Sequence, residues 1–244
     1  MLAFLLQSGA WMDFGRVYLF ALFMLMIWLL WIIRVVLSLE YRPFDEPYSV
    51  STSVVIPVVD ESPTLFHAVL STITEQHPDE IIVVINGPPN PVLERICQSF
   101  GVRWTWLAQA GKRRAVCLGV RMATSDIVVL VDSDTLWTDG TLSELVRPFR
   151  DPDVGGVTSR QRILWPDRNV LTQWADWLEN IRNDYTMPAM SVLGTVGCLP
   201  GRTIAFRRCI LLTCMNRFLS ERFLGVFLEV SDDRTLTNYT LQAG

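Results

Sequence analysis

The sequence has little histidine, no paired cysteine motif and no surplus of positive charge. With only His67 and His77, and with Cys97, Cys117, Cys198, Cys209 and Cys214 never spaced as Cys-x-x-Cys, the usual zinc constellations are excluded. Five cysteines, an odd number, fit a reducing compartment better than a disulfide framework. A net charge of −4 gives no basis for a nucleic-acid partner. No internal repeat or low-complexity segment is present. A basic region and a small-residue cleavage site around the first apolar stretch are also missing, which argues against a cleaved signal peptide.

What is present is apolar. Half the residues are hydrophobic and the mean hydropathy is +0.29. The excess is concentrated early: Val17 to Ile33 carries no charge, and beyond Arg34 the apolar run resumes to Leu39. Residues 17–39 are long enough to cross about 30 Å of hydrocarbon as a helix, with Arg34 snorkelling toward the headgroups. Arg34 and Arg42 on the C-terminal flank, against Arg16 on the other, place residues from 40 onward in the cytoplasm by the positive-inside rule. The apolar stretch Met1–Trp11 either lies along the membrane surface or forms part of a shorter hairpin. We therefore expect a membrane segment over 1–40, a Pro-containing linker over 41–50 and a globular domain over 51–244.

The globular part is organised around Ile127–Thr135, where five apolar residues run into Asp132-Ser133-Asp134. Continuous β-branched runs of this kind mark strands covered on both faces, and ligands of open α/β sheets sit beyond the carboxyl ends of such strands. In an extended backbone Asp132 and Asp134 would point the same way and could share a hard cation such as Mg2+ or Mn2+. The alternative is an acidic turn in which Asp132 caps a helix.

Strands are expected at Ser51–Val59, Glu80–Ile85, Val102–Leu107, Ile127–Val131, Val154–Gln161 and Thr203–Phe206. Helices are expected between them at Thr64–Gln76, Val92–Phe100, Ala115–Ala123, Leu142–Phe149 and Val170–Met187. The alternation implies an α/β fold, a doubly wound and mostly parallel sheet preceded by a transmembrane helix. Trp174 and Trp177 form a stripe suited to core or membrane-interface packing.

Other features bear on the acidic tip. Gly111-Lys112-Arg113-Arg114 is either a solvated basic turn or a loop that holds a diphosphate. Ser231-Asp232-Asp233-Arg234 is either a helix start capped by Ser231 or the site of a general base. Asn86-Gly87 either hydrogen-bonds a base or turns the chain.

Taken in order, Ile56-Pro57-Val58-Val59-Asp60-Glu61, Asn86-Gly87, Gly-Lys-Arg, Asp-Ser-Asp-Thr, Gly197-Cys198 with Gly201, and Asp-Asp-Arg-x-Leu-Thr-Asn (232–238) resemble the membrane-bound family 2 glycosyltransferases, in particular their hyaluronan synthase branch. The resemblance spans residues 51–244 and implies a GT-A fold that binds a UDP-sugar donor and a saccharide acceptor at a plasma membrane. It makes Asp134 a metal ligand and Asp132 a ligand of metal or nucleotide. Pro57, Glu61, Asn86, Lys112 and Arg113 fall in the donor set, and Gly197 and Cys198 line the acceptor. Asp233 becomes the general base of an inverting transfer, supported by Asp232 and Arg234. Where the family usually has an aspartate after the second strand, Asn86 brings no charge. The family's Gln-x-x-Arg-Trp motif and later membrane helices have no match up to Gly244, so the chain is expected to be a fragment or a shortened form. Single transfer onto a lipid or short acceptor, and an inactive sugar-nucleotide-binding subunit, are the competing expectations.

Overall fold

A computed structural model describes residues 10–243, with side chains from Arg16 onward. The expectation for Met1–Trp11 therefore falls almost wholly outside the described residues. Compactness divides the chain into two units: residues up to Arg42 together with Arg162–Thr195, and Pro43–Gln161 together with Val196 onward.

In the first unit, α1 (Ala10–Leu39) contains a stretch, Arg16–Leu39, whose length and composition suffice to cross a membrane. It packs on a π-helical segment (Arg182–Thr186) and α7 (Met187–Val192), which continue α6 (Val170–Ile181) as one irregular helical run. Trp31 meets Tyr185 edge-on at 5.4 Å. Asn169 starts α6 with a reciprocal capping pair to Thr172. The helix read at 170–187 is thus present and runs on to Val192. It groups with α1, however, and not with the residues that flank it in sequence.

The second unit is a three-layer α/β sandwich. Its elements are β1 (Thr52–Val58), α2 (Pro63–Thr74), β2 (Glu80–Asn86), α3 (Pro91–Phe100), β3 (Arg103–Leu107), α4 (Lys112–Met122), β4 (Ile127–Val131), α5 (Thr141–Val146), β5 (Gly156–Thr158), β6 (Thr203–Arg207), α8 (Arg208–Ser220), a hairpin β7 (Arg222–Phe223) and β8 (Val226–Phe227), and α9 (Asp232–Gln242). The main sheet runs β3-β2-β1-β4-β6-β5, with β6 antiparallel to both its neighbours and the rest parallel. This is the expected mostly parallel, doubly wound sheet.

The apolar runs form strands because both faces are covered. Val54, Ile56, Val58, Val129 and Val131 share a core with Phe66, Leu70 and Ile73 of α2, while Val55 points to the opposite face against α4. Successive side chains alternate between faces, so burying both confines polar positions to the strand ends, Thr52 and Ser53 in β1 and Asn86 in β2, where hydrogen bonds satisfy them. β5 is shorter than the expected 154–161, reduced to three residues beside the glycine pair Gly155-Gly156.

Helix α4 approaches β1 so closely that a Cβ on Gly119 would lie 2.2 Å from Val55 Cγ1. Gly119→Ala must push a β-branched side chain held in the central strand. We expect a stability loss of about 1–3 kcal/mol, read as a lowered denaturant midpoint with an unchanged slope.

Candidate active site

The chain passes from β1 outward through β2 and β3, then returns to β4 on the other side of β1. The strand order therefore reverses between β1 and β4, the place where open α/β sheets leave a crevice at their carboxyl ends. Pro57 marks it. The β1–β4 ladder is registered only as far as Val55–Leu130, two residues short of a proline that has no N–H to extend it.

Residues following both strands meet over this gap. Glu61, three residues past β1, accepts from the Ser133 hydroxyl at 3.2 Å. Asp132 follows β4 directly, and its N–H donates to the Arg202 carbonyl at 3.1 Å. β4 ends at Val131, and the Thr135 N–H donates back to the Asp132 carbonyl at 3.1 Å. Asp132 and Asp134 are therefore presented by a turn and not by the extended backbone expected from their spacing, with Asp132 half-buried and Asp134 exposed.

Lys112, the only lysine in the chain, joins this turn to α9. Its Nζ lies 2.7 Å from Asp132 and 3.4 Å from Asp232. Burial opposes its charge, but the two carboxylates outweigh burial and raise its pKa above the ordinary lysine value. Burial also pushes the Asp132 carboxyl up. Lys112 pulls it down, yet the net direction remains upward with Asp232 and Asp134 adding repulsion. Lys112 opens α4, so Lys112-Arg113-Arg114 is the first turn of a helix and not the loop expected from sequence.

Two residues expected to face the donor are instead committed to the scaffold. Arg113 is only 5% exposed. It donates to Glu221 (2.9 Å), the Phe218 and Val230 carbonyls and the Thr235 hydroxyl (2.9 Å), with its guanidinium over the Phe218 ring. It ties α4 to the segment that leads into α9. Asn86 is fully buried: its amide donates to the Val58 carbonyl (3.0 Å) and its oxygen accepts from Gly111 N–H (3.1 Å). Sequence pattern identified both as polar residues at strand and helix ends, but only long-range packing shows that the Asn86 amide holds Gly111, and hence Lys112, in place.

The other half of the site is the start of α9. Ser231 precedes it with a left-handed backbone (φ 62°), and its side chain makes no capping bond, contrary to the expected cap. Asp233 accepts from its neighbour's N–H at Arg234 (2.7 Å), and Arg234 itself is exposed. The loop 197–202 runs between the halves: Leu199 N–H donates to Thr237 (2.9 Å), and a Cβ on Gly201 would come 3.2 Å from that of Asp233. Cys198 faces Asp233 and Arg234. Burial, reinforced by the Asp233 charge, pushes its thiol up to about 11, so it is a neutral lining group and not a nucleophile. Nothing crowds Gly197.

Among the described residues no three His, Cys, Asp or Glu side chains converge as a metal cage. The donor set still fits Mg2+ or Mn2+. These ions are commonly held by one or two carboxylates plus phosphate oxygens and water, and the Thr135 hydroxyl in the same turn is enclosed with no hydrogen-bond partner.

Residues 49–244 match glycosyltransferase like family 2. The chain belongs to this family. It is 28% identical over 227 residues to hyaluronan synthase of Streptococcus pyogenes, covering 87% of this chain and 54% of that protein. It is likewise 28% identical over 214 residues to an N-acetylglucosaminyltransferase of Rhizobium meliloti, covering 84% and 49%. Among solved structures it resembles a mannosyltransferase from Pyrobaculum calidifontis in complex with GDP-Man and Mn2+, with TM-score 0.64 and 25% identity over 87% of this chain and 59% of that one. The family 2 chain described here spans about half the length of the curated relatives it matches.

Two outcomes follow for this family 2 domain. Arg113→Met leaves Glu221 and the loop carbonyls without their cation. It should cost about 3 kcal/mol in unfolding measurements, the low end for a broken buried pair because Glu221 is partly exposed. The raised Asp132 pKa means that this group's contribution to stability is fully present below the unfolded carboxyl value of about 3.9 and is lost as pH rises through the folded value. In metal-free buffer Asp132→Asn should therefore melt at or above the wild-type temperature at pH 7. That advantage should vanish below about pH 4.

Proposed function

We propose that the chain carries the donor-binding and transfer site of an inverting, metal-dependent glycosyltransferase, moving a sugar from a UDP-sugar onto a growing polysaccharide, a reading supported by its likeness to a hyaluronan synthase. The observation that carries this reading is the convergence of Asp132, Lys112 and Asp232 over the β1–β4 crevice, with Asp134 in the same turn as Asp132 and Asp233 next to Asp232 in α9.

Asp134 and Asp132 would hold Mg2+ or Mn2+, which supplies positive charge for the diphosphate as it leaves. Lys112 brings a second cation to the same point. In the ligand-free arrangement it is shared between two carboxylates, and a diphosphate offers it oxygens of higher charge. Glu61 steadies the turn that carries the ligands through Ser133. Asp233 takes the proton of the acceptor hydroxyl as that oxygen bonds to the anomeric carbon, while the bond from that carbon to the diphosphate breaks on the opposite face. Asp232 and Arg234 fix the start of α9 around it, and Gly197 and Cys198 leave an uncharged wall for the acceptor sugar. Helix α1 anchors the domain in the plasma membrane with the site on the cytoplasmic side.

Single transfer onto a lipid or short acceptor is the second reading; the mannosyltransferase structure covers 87% of the chain, as large a share as the hyaluronan synthase does.

Purified protein with Mn2+ should release UDP from a UDP-sugar. Asp134→Asn and Asp233→Asn should each lower the rate by roughly 10²–10⁴. UDP-sugar binding without turnover by the wild type would reduce the chain to a binding subunit, and full activity in Asp233→Asn would remove its role as base.

A further inference from the structure

Helix α6 is amphipathic in the sense opposite to that of a helix surrounded by water. Its half-buried side is mostly polar: Thr172, Asp176, Glu179 and Asn180 lie there with Ala175 and Ile181. Asp176 accepts from the Ile163 N–H at 3.3 Å and from the Asn180 amide at 2.9 Å, and Glu179 pairs with Arg182. The outward side carries Val170 (79% exposed), Leu171 (76%), Trp174 (59%), Trp177 (58%) and Leu178 (41%), spaced i, i+1, i+4, i+7, i+8 as one continuous stripe. Trp165, in the segment before the helix, is also exposed (66%). A surface helix of a globular protein turns such a stripe toward the core, and contiguous apolar surface left outside marks a contact with something other than water.

Three observations identify that partner as lipid. The same compact unit contains α1, whose residues from Val17 to Leu39 are exposed and apolar on nearly every side, and which packs through Trp31 onto Tyr185 in the helical run that continues α6. The stripe thus belongs to the same unit as an apolar surface already suited to hydrocarbon. Its two central residues are tryptophans, whose rings settle at the boundary between acyl chains and headgroups. The charges suit an anionic surface: Arg162 and Arg168 are exposed in the segment that leads into the helix, whereas Asp176 and Glu179 are half-buried and Asp167 is the exposed acid near the helix start.

We propose that the Val170–Leu178 face of α6 lies in the headgroup–acyl boundary of the bilayer, anchored by Trp174 and Trp177, as a second membrane contact besides α1. The proposal rests on the reading of α1 as a membrane helix, and its test separates the two.

The full chain is reconstituted into vesicles of phosphatidylcholine and phosphatidylglycerol containing a diazirine-bearing phospholipid, irradiated, and digested for mass spectrometry. Lipid adducts are expected on residues 170–178 at roughly ten times the level on α3, whose apolar face is buried, alongside adducts on α1. The doubly substituted Trp174→Ser, Trp177→Ser protein should lose adducts on α6 by about five-fold while those on α1 and the melting temperature stay unchanged, because both rings are exposed. Adducts on α1 without adducts on α6 overturn the proposal and leave the membrane helix standing; the same holds if α6 is covered by a second copy or by another protein. Adducts on α6 without adducts on α1 overturn the membrane reading of α1 and, with it, the proposal of a second contact beside it. Absence from both overturns both.

Discussion

One shared ion pair sets the geometry of the site. Lys112 stands between Asp132 at the end of β4 and Asp232 at the start of α9, and no other lysine exists in the chain to replace it. Three elements far apart in sequence are thereby fixed to one point. Its worth lies in position: the two carboxylates favour the Lys112 charge, while burial and the neighbouring carboxylates disfavour that of Asp132. A cluster of carboxylates held partly out of water around one cation is a fold that tolerates local cost to keep a charged crevice open, a familiar feature of functional sites.

The elements behind the pair keep it in register. Asn86 joins β1, β2 and the residue before Lys112, and Arg113 joins the next residue of α4 to the loop that leads into Asp232. Gly119 lets α4 rest on β1, and Gly201 lets the 197–202 loop rest on Asp233. Each of these residues touches the sheet or a neighbouring backbone. The resemblance to family 2 enzymes placed Asn86 and Arg113 with the donor, and the packing assigns their hydrogen bonds to the scaffold that aims Lys112 and α9.

The strands were legible from sequence because β1, β2 and β4 are covered on both faces, so that apolar character runs unbroken through them. The acidic tip was legible as a place, since β4 must end somewhere near Asp132. Its conformation was not, because the turn is closed by the Thr135 N–H and braced by Arg202 and Glu61, contacts that cross the fold. Arg113 illustrates the same limit: beside a lysine in a basic tripeptide it reads as a surface cation, and only the arrival of Glu221, Phe218 and Thr235 from a hundred residues away buries it. For α6 the periodicity revealed two faces without telling which one turns inward. That assignment comes from Asp176 and Asn180, whose hydrogen bonds are made inside the helical unit.

The central claim is that the crevice between β1 and β4 receives the diphosphate of a nucleotide sugar at Lys112 and the two carboxylates of the turn. Calorimetric titration of UDP in the presence of Mn2+, comparing the wild type with Lys112→Gln, tests it most directly. Loss of one charge-assisted contact of this kind is expected to weaken binding by about ten-fold or more, with the binding enthalpy falling in parallel. Equal affinity in the two proteins would contradict the account and place the nucleotide elsewhere.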